Sequence, residues 1–301
     1  MTGKGPFSAD YRFRTKDMDV GGVRMHYIDE PSDDTSSDLT FVCLHGNSTW
    51  SYMYRNIIPH LTPHGRVIAP DLIGHGRSDK PDIDYRYVTH YGYLEKFLES
   101  LDLKNVVLLL HDWGGGLGFN YAVNHKDQVR GIAFWETFVR TFDKWADWPQ
   151  DLLEGFQAFR QDKVGWDLIV NKNVFMEEVL PYGIHRDLSK EEMDAYLAPH
   201  CDPNNRKMLW VWPNELPIEG EPADTSKIIS NYVAELSTWD VPKLLFWVKP
   251  GAIVPEATVK RCEETFANLE TVFLGESGHY VADDFPHEIG EKVTSWIKTF
   301  G

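Results

Sequence analysis

Apolar residues recur along this chain in two alternating registers. Short continuous runs bounded by glycine or polar clusters have the pattern of buried strands, and between them lie longer stretches whose apolar positions fall three and four apart, as on a helix. Tyr11 to Val20, Val23 to Tyr27 and Leu39 to Leu44 are strand-like, separated by Gly21, Gly22 and the polar loop Pro31 to Asp38. They predict an antiparallel sheet edge that leads into the first central strand. Helical spacing follows around Tyr52 to Leu61, then a strand over Arg66 to Ala69 with a Gly-rich exit loop, Asp71 to Asp79. Val88 to Leu101 is helical, and Asn105 to Leu110 and Val129 to Phe134 are strands. From about Lys144 to Pro217 no strand pattern appears: Leu152, Phe156 and Phe159 fall at i, i+4 and i+7, and Ser189 with Glu192 makes a capping box. The alternation then resumes with a helix over Thr225 to Leu236, a strand over Lys243 to Val248, a helix over Ala257 to Phe266 and a strand over Glu270 to Leu274. A closing helix runs from about Pro286 to Phe300. Such alternation, with strands apolar on both faces, predicts an α/β fold with a mostly parallel sheet flanked by helices. Residues 1–143 and 218–301 would form the core domain and 144–217 an inserted helical cap.

Composition narrows the partners. A chain of 301 residues that is 42% hydrophobic can bury one large core with room for a lid. With 46 Asp plus Glu against 30 Lys plus Arg, the net charge of -16 argues against nucleic acid or an anionic membrane and favours an uncharged or cationic substrate. Cys43, Cys201 and Cys262 have no paired spacing, so neither a disulfide framework nor a metal site is indicated, and a reducing cytoplasm is the expected setting. The opening MTGKGPFSADYRFRTKD lacks a leader-like apolar run, and no segment approaches the roughly 18 apolar residues of a membrane span.

The candidate chemistry centres on Val106 to Gly118, VVLLLHDWGGGLG, a buried strand that breaks sharply into a helix. As a phosphate loop it fails, because Phe119 falls at the third glycine of G-x-G-x-x-G and no G-K-[ST] follows. It resembles the nucleophile elbow of α/β-hydrolase folds, G-x-S-x-G, with Asp112 at the centre, Gly114 after it, and Leu110 where a small residue is usual. A carboxylate there needs no deprotonation and can displace a leaving group from saturated carbon, which leaves an ester that an activated water must cleave. Chain order in this fold is nucleophile, acid, histidine. His279, in the Gly-rich loop after the last strand, is the candidate base, while His45 and His111 abut strand ends and read as structural hydrogen-bonders. The acid is customary after either of two strands. The loop after Val248 has no carboxylate until Glu256, whereas Glu136 stands two residues past Phe134 and is the candidate, its other reading being a strand-end ion pair.

Taken together, HGN, DLIGHGRSDKP, HDWGG, Glu136, ADWP, VWPNELP and GHY resemble the haloalkane dehalogenases of the branch with an Asp-His-Glu triad, from about residue 20 to the C-terminus. The resemblance implies that Asn47 and Trp113 hold the departing halide through side-chain N–H groups and that no metal or organic cofactor takes part. It implies as substrate a small apolar halogenated compound, turned over with water and releasing halide, and a monomeric or homodimeric enzyme. It also implies a substrate cavity lined by Trp148, Phe156, Phe175, Val179, Trp212, Pro213, Leu216, Ala252, Ile253 and Tyr280, though each would serve equally as cap core. Tyr280 stands where the family often has Phe and would bring a hydroxyl near His279; Gly183, where bulk is common, would widen the mouth. Asn47 also opens the only N-x-S/T sequon, a weak alternative role for a chain without a leader. The coelenterazine luciferases, which are cofactor-independent oxygenases, carry the same five residue types in the same order, and epoxide hydrolases share HDWG. For the latter, Tyr182 and Tyr196 would be the cap acids.

Overall fold

A computed structural model describes residues 7–300, so the ends of the core domain, residues 1–6 and 301, lie outside the described residues, as does part of the opening stretch read for a leader. Eight strands form one sheet in the order β1-β2-β4-β3-β5-β6-β7-β8. They are β1 (Thr15–Asp19), β2 (Arg24–Glu30), β3 (Thr40–Leu44), β4 (Arg66–Pro70), β5 (Val106–His111), β6 (Val129–Thr137), β7 (Lys243–Pro250) and β8 (Leu269–Ser277). β2 pairs antiparallel with β1 and β4, and every later pairing is parallel.

The pleat sorts the central strands' side chains into two cores. Leu44, Leu108 and Leu110 pack beneath helices Tyr87–Ser100, Asp112–Asn124 and Ala223–Thr238. Phe41, Cys43, Val107 and Leu109 face helices Ile58–Leu61 and Pro286–Trp296 on the other side. Burial on both faces is why β3 and β5 read as unbroken apolar runs rather than alternating ones.

Boundaries moved in informative places. β1 begins at Thr15 rather than Tyr11, and the helix expected over Tyr52 to Leu61 is a 3-10 turn, Ser51–Tyr54, followed by the short helix Ile58–Leu61, which has Pro59 in its first turn. β6, β7 and β8 all run two or three residues past their apolar stretches, to Thr137, Pro250 and Ser277. Their polar ends carry the site.

Between β6 and β7 the described chain adds no strand to the sheet. Its entry and exit lie side by side: the Phe142 amide donates to Pro217 O at 2.9 Å and the Glu219 amide to Phe142 O at 2.8 Å. Because that neck falls at both ends of the insertion, we propose 144–217 as the cap. The expected capping box is present at helix Lys190–Leu197, where Ser189 Oγ accepts from the Glu192 amide. A buried ionic cluster ties cap to core: Arg55 Nη2 lies 2.5 Å from Glu192 Oε1 and 2.8 Å from Asp283 Oδ1, and Tyr196 donates to Asp283 Oδ2 at 2.6 Å. No helix among the described residues is long and apolar enough to cross a membrane.

Candidate active site

β5 delivers the chain to Asp112 in the left-handed region, φ 49, at the first turn of helix Asp112–Asn124. The bend requires close approach to β3: a Cβ on Gly114 would stand 2.2 Å from Leu44 O. Leu110 is accommodated one helical turn later, since a Cβ on Gly118 would come 2.3 Å from its Cδ2. The small residue usual at position 110 is thus replaced by one at 118. Thr137 Oγ1, at the end of β6, donates to Asp112 O at 2.7 Å and steadies the strained backbone.

Three loops converge on the Asp112 carboxylate. The Asn47 amide donates to Oδ1 at 2.7 Å, and His279 Nε2 lies 3.5 Å from Oδ2. The other imidazole nitrogen, Nδ1, is 3.1 Å from Glu136 Oε2. Glu136 is buried, and its carboxylate accepts the amides of Ala252 and Ile253 at 2.9 and 2.8 Å and of Val254 at 3.2 Å. The loop after β7, which has no carboxylate of its own at the site, therefore supplies the N–H groups that hold the one from β6. Behind His279, His111 Nε2 donates to the His279 carbonyl at 3.0 Å.

Burial pulls the His279 imidazole down, but hydrogen bonds and charge from Asp112 and Glu136 outweigh it and push the group up to about 9. The resting pair is accordingly an imidazolium beside carboxylates. Asn47 and Trp113 line the space above Asp112. Among the described residues no acceptor takes the Trp113 indole N–H, and Asn47 Nδ2 makes only a long contact, 3.4 Å, to Leu209 O. Both are donors with capacity to spare facing the cavity over the Asp112 carboxylate. Asn47 is buried, which excludes a glycan on it.

The α/β hydrolase fold family matches residues 40–286. A haloalkane dehalogenase of Mesorhizobium japonicum is 43% identical over 87% of this chain and 85% of its own length. One of Sphingobium indicum is 40% identical over 94% and 95%. Among solved structures, the haloalkane dehalogenase DbeA of Bradyrhizobium elkani superposes with a TM-score of 0.91 at 38% identity, covering 95% of this chain and 98% of that one. The chain belongs to the haloalkane dehalogenases.

In this dehalogenase the cavity over Asp112 has a volume of about 170 Å³. All the residues expected to line it do so except Trp212. Trp212 is fully buried behind Trp113, with ring centroids 4.7 Å apart and planes 21° off parallel, and its N–H is taken by His75. Gly183 lines the cavity as well, and a Cβ there would lie 2.7 Å from Tyr280 Cδ2, so the missing side chain also makes room for the Tyr280 ring. Tyr280 brings its hydroxyl to 3.4 Å from Ser48 Oγ, and burial holds that phenol protonated, well above its ordinary range.

Phe138, Leu152, Asp151 and His185 also line the cavity and were not foreseen. Phe138 stands just past the end of β6, where the left-handed backbone of Glu136, φ 42, breaks the strand's alternation and with it any periodic signal. Asp151 and His185 lie in irregular cap segments with no periodic signal.

Proposed function

We propose that this protein hydrolyses the carbon–halogen bond of small apolar haloalkanes, giving an alcohol, a halide ion and a proton through an ester on Asp112. One observation carries the reading: a carboxylate at the elbow, 3.5 Å from His279 Nε2, with the unpaired Trp113 N–H and the Asn47 amide beside it. In the first half, Asp112 attacks the halogen-bearing carbon from the side opposite the halide. The leaving group departs as an anion that needs N–H donors and no proton, which suits an indole and an amide. In the second half, His279, held by Glu136, takes a proton from a water that attacks the ester carbonyl. The backbone amides of Asn47 and Trp113 face the charge that develops on the carbonyl oxygen, a role the existing 2.7 Å bond from Asn47 N to Asp112 Oδ1 supports.

Epoxide opening would need an acid over the nucleophile. Tyr182 is 67% exposed at the cavity mouth, and Tyr196 is buried with its hydroxyl committed to Asp283, so neither is placed for that task. We also take the enzyme to be cytoplasmic, since Cys43, Cys201 and Cys262 are all free, and to work as a monomer or homodimer.

The test is halide and proton release from short and medium bromoalkanes, run beside Asp112→Ala and a coelenterazine light assay. Release that vanishes in the variant supports the reaction and the nucleophile. Light without halide release would move the chain to the oxygenases. His279→Ala should accumulate the ester, seen as a gain of the alkyl mass on the intact protein.

A further inference from the structure

Trp113 does not stand alone against its cavity wall. Behind it, away from Asp112, three rings form one stack: Trp113 on Trp212 at 4.7 Å and 21°, and Trp212 on His90 at 4.3 Å and 26°. The middle ring comes from the cap helix Lys207–Asn214, while the outer two belong to core helices Asp112–Asn124 and Tyr87–Ser100. The stack fixes the tilt of the rings but tolerates a range of offsets between them, since stacked pairs are favourable at centroid separations from about 4.5 to 7 Å.

His75 removes this freedom. It lies in the Gly-rich loop after β4, is fully buried, and its Nε2 is 3.1 Å from Trp212 Nε1. An indole nitrogen only donates, so His75 must be neutral, with its lone pair on Nε2 and its proton on Nδ1. Its surroundings keep it so. Burial, with the imidazoles of His45, His90 and His200 around it, holds its pKa well below the ordinary value.

Resting on the reading of Trp113 as a halide donor, we propose that His75 is a positioning residue for the halide site: by accepting the Trp212 N–H it locks the plate against which Trp113 is aligned. Trp113 has no hydrogen bond of its own to a side chain or carbonyl through its indole, so packing alone aims its N–H. Its other ring neighbours are Phe138 at 4.3 Å and 39° and Tyr87 at 6.0 Å and 61°, both tilted. Trp212 is the near-parallel one, and the one tied to a polar anchor. A His75 that merely satisfied a buried donor would contribute to stability and leave halide affinity unchanged.

The experiment titrates the purified full chain with sodium bromide, following quenching of tryptophan fluorescence, and measures kcat and KM for matched chloro- and bromoalkanes. His75→Leu keeps the bulk and loses the acceptor. It should weaken bromide binding by about three- to ten-fold, the worth of one buried hydrogen bond. It should also lower kcat more for the chloroalkane than for the bromoalkane, because the poorer leaving group leans harder on the donors. His75→Asn, which keeps an acceptor, should recover part of both effects. Trp212→Phe keeps a stacked ring without the N–H and carries the same test should His75→Leu fail to fold. The double variant should be no weaker in bromide binding than the worse single, since both changes break one contact. Folded single variants with wild-type bromide affinity and an unchanged chloro/bromo ratio, or additive losses in the double, would overturn the proposal. Absence of saturable bromide quenching in the wild type would instead sink the halide reading beneath it.

Discussion

His279 Nε2 faces Asp112 Oδ2 across 3.5 Å, so the proposed base of the second half-reaction rests as the counter-ion of the proposed nucleophile of the first. With its pKa pushed up to about 9 by Asp112 and Glu136, His279 is protonated near neutral pH and cannot yet act as a base. Esterification removes the Asp112 charge and with it part of what holds that proton. The proton should therefore leave His279 with or soon after the halide and before the alcohol forms. Rapid mixing with a pH indicator would show proton release keeping pace with the halide burst. Release that tracks the alcohol instead would mean that His279 is already neutral at rest.

Glu136 accepts three backbone amides as well as the imidazole, which makes it both the orienter of His279 and the clamp on the loop after β7. Glu136→Gln would turn an N–H₂ toward at least one of those donors. We expect kcat to fall by about 10²- to 10⁴-fold, as when the acid of a hydrolase triad becomes an amide. The unmade hydrogen bonds should cost about 1–3 kcal/mol of stability in urea denaturation. Lost stability with kcat intact would remove Glu136 from the triad.

Much of this was readable in the chain, and the exceptions share a physical cause. Asp112, His279 and Glu136 could be placed because each sits at the end of an apolar run, where a buried strand meets the surface of the sheet. The central strands were legible because burial on both faces leaves no polar interruption, as in VVLLLH. Trp212 was misplaced because VWP marks an apolar segment near the site without saying which of its sides faces the cavity. That depends on how the cap is seated over Trp113, which is a tertiary fact. The contact of Gly183 with the Tyr280 ring was hidden for the same reason, since the sequence does not say which neighbour lies against an absent side chain. Asp151 and His185 lie in turns whose course is set by packing on the core rather than by periodicity.

The Gly183 contact makes its own prediction. Tyr280 N donates to Gly183 O at 3.0 Å, and Tyr280 follows His279 directly, so the backbone at Gly183 lies against the loop that carries His279. Gly183 has an ordinary φ of -82, so alanine there would suffer from the clash with the Tyr280 ring and not from its own backbone. Gly183→Ala should cost about 1–3 kcal/mol, as overpacking does. It should slow ester hydrolysis more than ester formation, because His279 serves only the former; single-turnover kinetics separate the two. Adding Tyr280→Phe should not relieve the clash, which involves the ring edge, whereas Tyr280→Leu should.

Arg55, Glu192 and Asp283 form an ionic cluster between the proposed cap and the core, and their side chains are almost wholly buried. Burial opposes the charge on Glu192, but hydrogen bonds from Arg186, the Ser189 amide and Arg55 prevail and pull its carboxyl from 4.5 down to about 2. A carboxyl depressed in this way contributes stability that is complete above its unfolded pKa near 4.5 and is lost as the pH falls toward 2. Arg55→Met keeps most of the volume but takes one of two guanidinium partners from each carboxylate, leaving Glu192 and Asp283 with Arg186 at 2.6 and 3.2 Å, at a cost of about 1–3 kcal/mol near neutral pH. Because protonation of Glu192 removes the charge that Arg55 pairs with, the variant's deficit against wild type should shrink on acidification through this window, while the wild type's own stability declines. Thermal melts of both proteins across that range are the measurement. A neutral-pH loss below about 1 kcal/mol would mean that the cluster behaves as a screened surface pair and does not hold the cap.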